Sequence, residues 1–184
     1  MLIGKSNLHV KQDKGRIYSK DYIAGYYNDL TKKVDKNENI NDKVIPKIII
    51  EDGTEILFPI AIFQHGLGSY DLYLLENKRK FLDKFKTCVD WAIENQNENG
   101  AWACFYYLYP ENPYSSMAQG EGASLLLRAY NEFHDIKYLI AAKKAIYFLI
   151  LKKINCLFFY HSTFATALVI ELSAFIFNGN AINS

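Results

Sequence analysis

The chain has 184 residues, with 21 Lys and Arg against 20 Asp and Glu, a formal net charge of +1, and 50% hydrophobic and 22% charged residues. Such a length supports one domain with a core of its own, and such a composition is that of a soluble globular protein. Charges of both signs alternate from Lys78 to Asp90 rather than forming a basic stripe, which removes the electrostatic case for nucleic-acid binding. Cys88, Cys104 and Cys156 show neither CxxC nor Cys/His ligand spacing, so no disulfide framework and no zinc site is signalled; reduced core thiols in a cytoplasmic protein are expected.

Residues 1–40 are polar and carry charges through Arg16 with no apolar h-region, so they read as an irregular arm rather than a signal peptide, and residues 41–184 as the domain proper. Val44 to Ile50 and Glu55 to Phe58 are β-branched and apolar runs around Glu51-Asp52-Gly53-Thr54, a strong hairpin signal. Pro59 cannot extend a central strand, and a helical pattern begins at once over Ile60 to Glu76.

An internal repeat follows. Phe81, Leu82, Phe85, Cys88, Val89 and Ala92 form an apolar stripe at helical spacing, and 57 residues later Tyr138, Leu139, Ala142, Ala145, Ile146 and Leu149 repeat it. Ahead of each lies another helix, opened by Gln64-His65-Gly66-Leu67-Gly68 and by Gln119-Gly120-Glu121-Gly122. The glycines are offset by 54, and the difference of three from the stripe offset is expected to be absorbed in the inter-helix loops, Asn77-Lys78 against Glu132 to Asp135. Between the two units Asn95 to Gly100 reads as a turn and Ala101 to Tyr109 as a strand-like stretch ending at Pro110. The second unit's first helix is expected to start near Ser115, with Met117, Glu121, Ser124, Leu125 and Arg128 on one charged flank.

Helical hairpins that cannot bury their faces alone must stack, as an open solenoid or a closed α/α toroid. The toroid is the expectation: mainly α, with a short N-terminal β-hairpin, the Gln64 and Gln119 helices inner and the Phe81 and Tyr138 helices outer. Leu157 to Phe177 approaches membrane-spanning length, but Glu171 near its middle would cost about 2.5 to 3.5 kcal/mol in lipid, so no span is expected.

Three ordered motifs, Pro59 to Leu74 (Pro-Ile-Ala-Ile-Phe-Gln-His-Gly-Leu-Gly-Ser-Tyr-Asp-Leu-Tyr-Leu), Asp90 to Trp102 (Asp-Trp-Ala-Ile-Glu-Asn-Gln-Asn-Glu-Asn-Gly-Ala-Trp) and Ser116 to Tyr130 (Ser-Met-Ala-Gln-Gly-Glu-Gly-Ala-Ser-Leu-Leu-Leu-Arg-Ala-Tyr), together resemble the C-terminal domain of the D-glucuronyl C5-epimerase family. The likeness covers residues 20 to 150. It implies an α/α toroid and, on heparosan- or heparan-type polysaccharide, conversion of D-glucuronate to L-iduronate without a cofactor, by removal and return of the C5 proton. The resemblance assigns proton transfer to a Glu-Tyr-Pro segment and to a later Tyr followed by His-Thr-Thr-His. This sequence contains neither, reading Leu-Lys-Lys-Ile-Asn-Cys-Leu-Phe-Phe-Tyr-His-Ser-Thr over residues 151–163, and the tail resembles a truncated or frame-altered end.

With no catalytic residue assigned, the expected substrate contacts are Gln64, Tyr114, Gln119, Glu121 and Arg128. Gln64 and Gln119 open their helices, where amides meet carboxylates or hydroxyls, though either glutamine can instead bridge neighbouring helices. Glu121 and Arg128 stand two turns apart, open to substrate or to structural pairing. Tyr114 leads a group of stacking candidates with Tyr70, Tyr73, Tyr106, Tyr107 and Tyr109. His65 is either an acid-base group or a structural histidine. A polysaccharide partner and self-association through an open apolar flank complete the reading. Its alternatives are a non-catalytic carbohydrate-binding α/α fragment and an unrelated α/α glycosidase or lyase with paired carboxylates.

Overall fold

In the computed structural model, residues 13–19, 21–34 and 44–151 are described. The fold is mainly helical, with one two-stranded sheet: β1 (Ile48–Ile49), β2 (Glu55–Ile56), α1 (Pro59–Glu76), α2 (Arg79–Glu94), α3 (Ser116–Phe133) and α4 (Ile136–Leu151). Two compact units are present, one formed by the described parts of Met1–Ser19 and Ala24–Glu94, the other by those of Lys20–Ile23 and Asn95–Ser184. The 40/41 boundary expected from sequence falls within residues 35–43, outside the described ones, as do Cys156 and the Leu157 to Phe177 segment. Among the described residues no helix is long and apolar enough to cross a membrane.

In the first unit the expected hairpin forms, with Ile48 opposite Ile56 and Ile49 opposite Glu55. Ile50 N–H donates to the Thr54 carbonyl, Gly53 N–H to the Ile50 carbonyl, and Asp52 accepts from Thr54 N–H at 2.8 Å. Gly53 sits at φ 85°, so Asp-Gly serves a three-residue loop whose left-handed position only glycine fills without strain. Pro59 opens α1, where its missing N–H costs nothing.

α1 and α2 then pack as an antiparallel pair. All six residues of the α2 stripe, Phe81, Leu82, Phe85, Cys88, Val89 and Ala92, are buried. Tyr70 lies 4.6 Å from Phe85 and Phe63 6.0 Å from the partly buried Trp91, ring to ring; Tyr70, Phe85 and Phe63 are buried, and each contributes about 1.5–3 kcal/mol. Burial pushes the Cys88 thiol up to about 12, so it stays protonated as an inert core group, and Cys104 is likewise a buried free thiol.

The second unit repeats this pair with one correction to the sequence reading. α1 and α3 begin at Pro59 and Ser116 and end at Glu76 and Phe133, while α2 and α4 begin at Arg79 and Ile136 and end at Glu94 and Leu151; every boundary is offset by 57. The 54-residue offset read from the glycines is therefore not the structural one, and there is no three-residue insertion. Both first helices are stopped by the same device: Asn77 and His134 adopt left-handed backbone (φ 50° and 56°), and their N–H groups return to the Tyr73 and Tyr130 carbonyls. Glu132 and Phe133, expected in the loop, lie inside α3. Small residues in both helix openings matched at the wrong register because glycine pairs carry no side-chain pattern to fix it.

α1 and α3 are buried around nearly their whole circumference from Pro59 to Leu72 and from Ala118 to Ala129, whereas α2 and α4 each keep an exposed face. The charged flank of α3 is buried: Glu121, Ser124, Leu125 and Arg128 are each at most 3% exposed, and of its five residues Met117 alone is open.

The described part of the arm is packed and includes a single 3-10 turn over Thr31–Lys33. Lys14 bridges Asn28 antiparallel, Tyr26, Leu30 and Val34 are buried, and Tyr26 N–H donates to the Asp71 carboxylate of α1 at 2.9 Å. Although burial acts to raise the Asp29 carboxyl, hydrogen bonds from Thr31 and the nearby Arg16 and Lys32 charges hold it below its ordinary value. The Leu30 carbonyl lies against α1 where Gly68 has no side chain, and a Cβ there would run into that oxygen. Gly68→Ala, which in an open helix would stabilise by about 1 kcal/mol, is expected to destabilise the protein by about 1–3 kcal/mol through this clash, seen as a lower urea midpoint.

Candidate functional site

The N-terminal half of α3 is assembled from a cap and a bridge. Ser115, in extended backbone, accepts from Ala118 N–H at its side chain, so the helix starts where the sequence places it. Upstream, Cys104 N–H and Phe105 N–H both donate to the Pro113 carbonyl at 2.8 Å, and Ala103 bridges Tyr114. The stretch expected as a strand from Ala101 to Tyr109 is thus a folded-back loop: Leu108 and Tyr109 N–H both return to the Phe105 carbonyl, and Pro110 and Pro113 have no N–H to extend a ladder.

Gln119 locks this loop to α3. Its Oε1 accepts from Trp102 N–H at 3.2 Å and its Nε2 donates to the Trp102 carbonyl at 3.1 Å, so the amide pairs like a neighbouring strand with one fully buried residue. Gln119 thus bridges its helix to a loop residue rather than to a neighbouring helix. Tyr114, half-buried, packs edge to face on Phe148 of α4 at 4.8 Å, beside buried Ala101.

Glu121 and Arg128 follow on the next two turns of α3, both buried, with Ser124 between them. Arg128 Nη1 donates to the Ser124 hydroxyl at 2.6 Å and to its carbonyl at 3.3 Å. A carboxylate and a guanidinium held this deep are costly unless hydrogen-bonded, so their environment is specified rather than incidental. Gln64, in the first unit, is described by itself: it is buried, and its Oε1 accepts from the Lys33 ammonium of the arm. His65 contributes its carbonyl to the Ser69 hydroxyl at 2.7 Å.

The 57-residue register changes which residues correspond. Gln64 is the counterpart of Glu121, not of Gln119, and Asp71 is the counterpart of Arg128. Each first helix therefore carries a buried polar pair seven residues apart. Asp71, which takes the Tyr26 N–H, was not singled out from sequence; its signal was the position seven residues after Gln64 on the same helical face.

Gln119→Glu tests the bridge. A carboxylate accepts from Trp102 N–H but cannot donate to the Trp102 carbonyl, so the variant is expected to lose about 2–3 kcal/mol in denaturant unfolding and to recover part of it as pH falls and the acid protonates.

The profile described as the D-glucuronyl C5-epimerase C-terminus matches residues 96–180. Among curated proteins, the D-glucuronyl C5-epimerase of Caenorhabditis elegans is 36% identical over 81 residues, which is 40% of this chain and 13% of that protein. The chain thus spans about 13% of the length of the curated relative it matches. No solved structure gives a significant match. The matched profile starts in the turn after α2, takes in the Gln119 bridge, α3 and α4, and runs past residue 150, where the motif resemblance stops. Through residues 96–180, the chain is similar to the C-terminal domain of the D-glucuronyl C5-epimerase family.

Proposed function

We propose that this chain is the toroid-forming C-terminal part, residues 41–184 behind an arm of 1–40, of a D-glucuronyl C5-epimerase acting on heparosan- or heparan-type polysaccharide. The match of residues 96–180 to the family profile carries the proposal. In support of the toroid, the helix pairs repeat at one offset, with the first helix of each buried all round and the second keeping an exposed face. Epimerisation needs a base on one face of C5, an acid on the other, and donors or cations that stabilise the carbanion beside the carboxylate. Gln64, Tyr114, Gln119, Glu121 and Arg128 are the proposed substrate contacts, each held in place by its surroundings; proton transfer belongs to the Glu-Tyr-Pro and Tyr-His-Thr-Thr-His elements that this sequence lacks. The chain by itself is then a binding fragment. In deuterated water with glucuronate-containing polymer, residues 1–184 are expected to leave C5 unlabelled, while a chain extended by those two elements labels it. Deuterium at C5 with residues 1–184 alone would overturn this assignment.

Self-association is part of the same proposal, with a second copy of the chain as the partner. Ile136, Ile140, Tyr147 and Ile150 are exposed along α4. Their counterparts 57 residues earlier are Arg79, Asp83, Asp90 and Ile93, and there Arg79 pairs with Asp83 at 3.0 Å and Lys86 with Asp90. At three of these four positions a charge on α2 is replaced by an exposed apolar or aromatic side chain on α4. Restoring the α2 chemistry with Ile140→Asp and Tyr147→Asp is expected to shift the protein toward monomer in light scattering. Unchanged association in that double variant would remove α4 as the contact.

A further inference from the structure

We propose that the loop from Phe105 to Asn112 is a separate carbohydrate-binding site that stacks neutral pyranose units. This rests on the reading above only in taking a sugar polymer as the ligand. Tyr106, Tyr107 and Tyr109 are 61%, 68% and 54% exposed within four consecutive residues, whereas Tyr26, Tyr70 and Tyr138 are buried as packing residues. Their exposure is not that of a slack segment. The loop is closed at its base by the two hydrogen bonds to the Pro113 carbonyl and braced inside by Leu108 and Tyr109 N–H to Phe105 and by Asn112 N–H to Tyr109, so the rings are presented by an ordered frame. Stacking on such a frame costs little conformational entropy.

The ring geometry suits a pyranose. Tyr106 and Tyr107 meet edge to face, centroids 5.8 Å apart and planes at 81°, which makes an L-shaped notch. One ring face can take the C–H face of a sugar while the other ring abuts its edge, and the negative π-faces favour the weakly positive C–H groups. Exposed Glu111 and Asn112 lie beside the rings in sequence and supply acceptors and a donor for hydroxyls. Charge narrows the ligand further. From Ala101 to Leu127 the charged residues are Glu111 and Glu121 alone, with no Lys or Arg. A uronate carboxylate on this loop would meet Glu111 and no cation of the same segment, so the loop selects the uncharged sugars of a polymer and not its uronates.

Two oligosaccharides distinguish these possibilities on the full chain: a neutral β-linked glucose hexamer and a glucuronate-containing polymer, each titrated by calorimetry against wild type, the Tyr106→Ala/Tyr107→Ala double variant, and Glu111→Lys. Wild type is expected to bind the neutral hexamer saturably. The double variant should lose about tenfold or more, the scale of losing one aromatic stacking partner, with an unchanged circular dichroism spectrum because both side chains are exposed. Glu111→Lys should strengthen binding of the uronate polymer. Absence of hexamer binding, undiminished binding by the double variant, or an unchanged uronate affinity in Glu111→Lys would each overturn the proposal. The C5 exchange experiment reads a different event, so loss of either reading leaves the other standing.

Discussion

A left-handed residue at one position governs the architecture. Asn77 and His134 each end a helix by turning the backbone out of the right-handed region and returning the N–H to the carbonyl four residues back. The next helix starts two residues later in both cases, so α2 folds back on α1 and α4 on α3 at the same point of the pattern. Neither position is glycine. Asparagine tolerates this backbone through its short polar side chain, and histidine is among the residues enriched there. Phe81 and Tyr138 N–H then return to Lys78 and Asp135, closing the first turn of the following helix identically.

With the hairpins fixed, the chemistry of α3 follows from burial. A helix covered on all sides carries its polar groups into the interior, where engaging them matters most, and α3 engages two of them with named partners. Gln119 is engaged by the Trp102 backbone and Arg128 by Ser124. The features that make this stretch distinctive in the sequence are therefore the ones that hold it in place. The profile match over residues 96–180 takes in this same scaffold, the Trp102–Gln119 bridge, α3 and α4 included.

Much of the fold was legible from periodicity. The apolar stripes of α2 and α4, the hairpin at Asp52-Gly53, the Pro59 start and the Ser115 cap are local signals, and each appears where its residues stand. Register between the first helices was not legible, because Gly66 and Gly68 resemble Gly120 and Gly122 in composition while the αL caps that set the true offset are an Asn and a His with no shared letter. The burial of Glu121 and Arg128 was also beyond reach, since a helical wheel reports which residues share a flank and not whether that flank meets water. Tyrosine exposure divided in the same way: 14 tyrosines are interchangeable in composition, and the back-bonded loop after Cys104 brings out three of them.

The lashing of the arm to α1 sets an order of events during synthesis. Tyr26 leaves the ribosome 45 residues before Asp71, the acceptor of its N–H, and the Leu30 carbonyl has no Gly68 to lie against until α1 is made. At a synthesis rate of about 5–20 residues per second, the arm waits roughly 2–9 s with Tyr26, Leu30 and Val34 uncovered. Its sequence brackets that interval's exposed stretch: Tyr22 to Tyr27 is flanked by Ser19, Lys20 and Asp21 on one side and by Asn28 and Asp29 on the other, so charges stand at both ends of the waiting segment. The closure that follows joins the earliest part of the first unit to its central helix, and only then does that unit have its complete core.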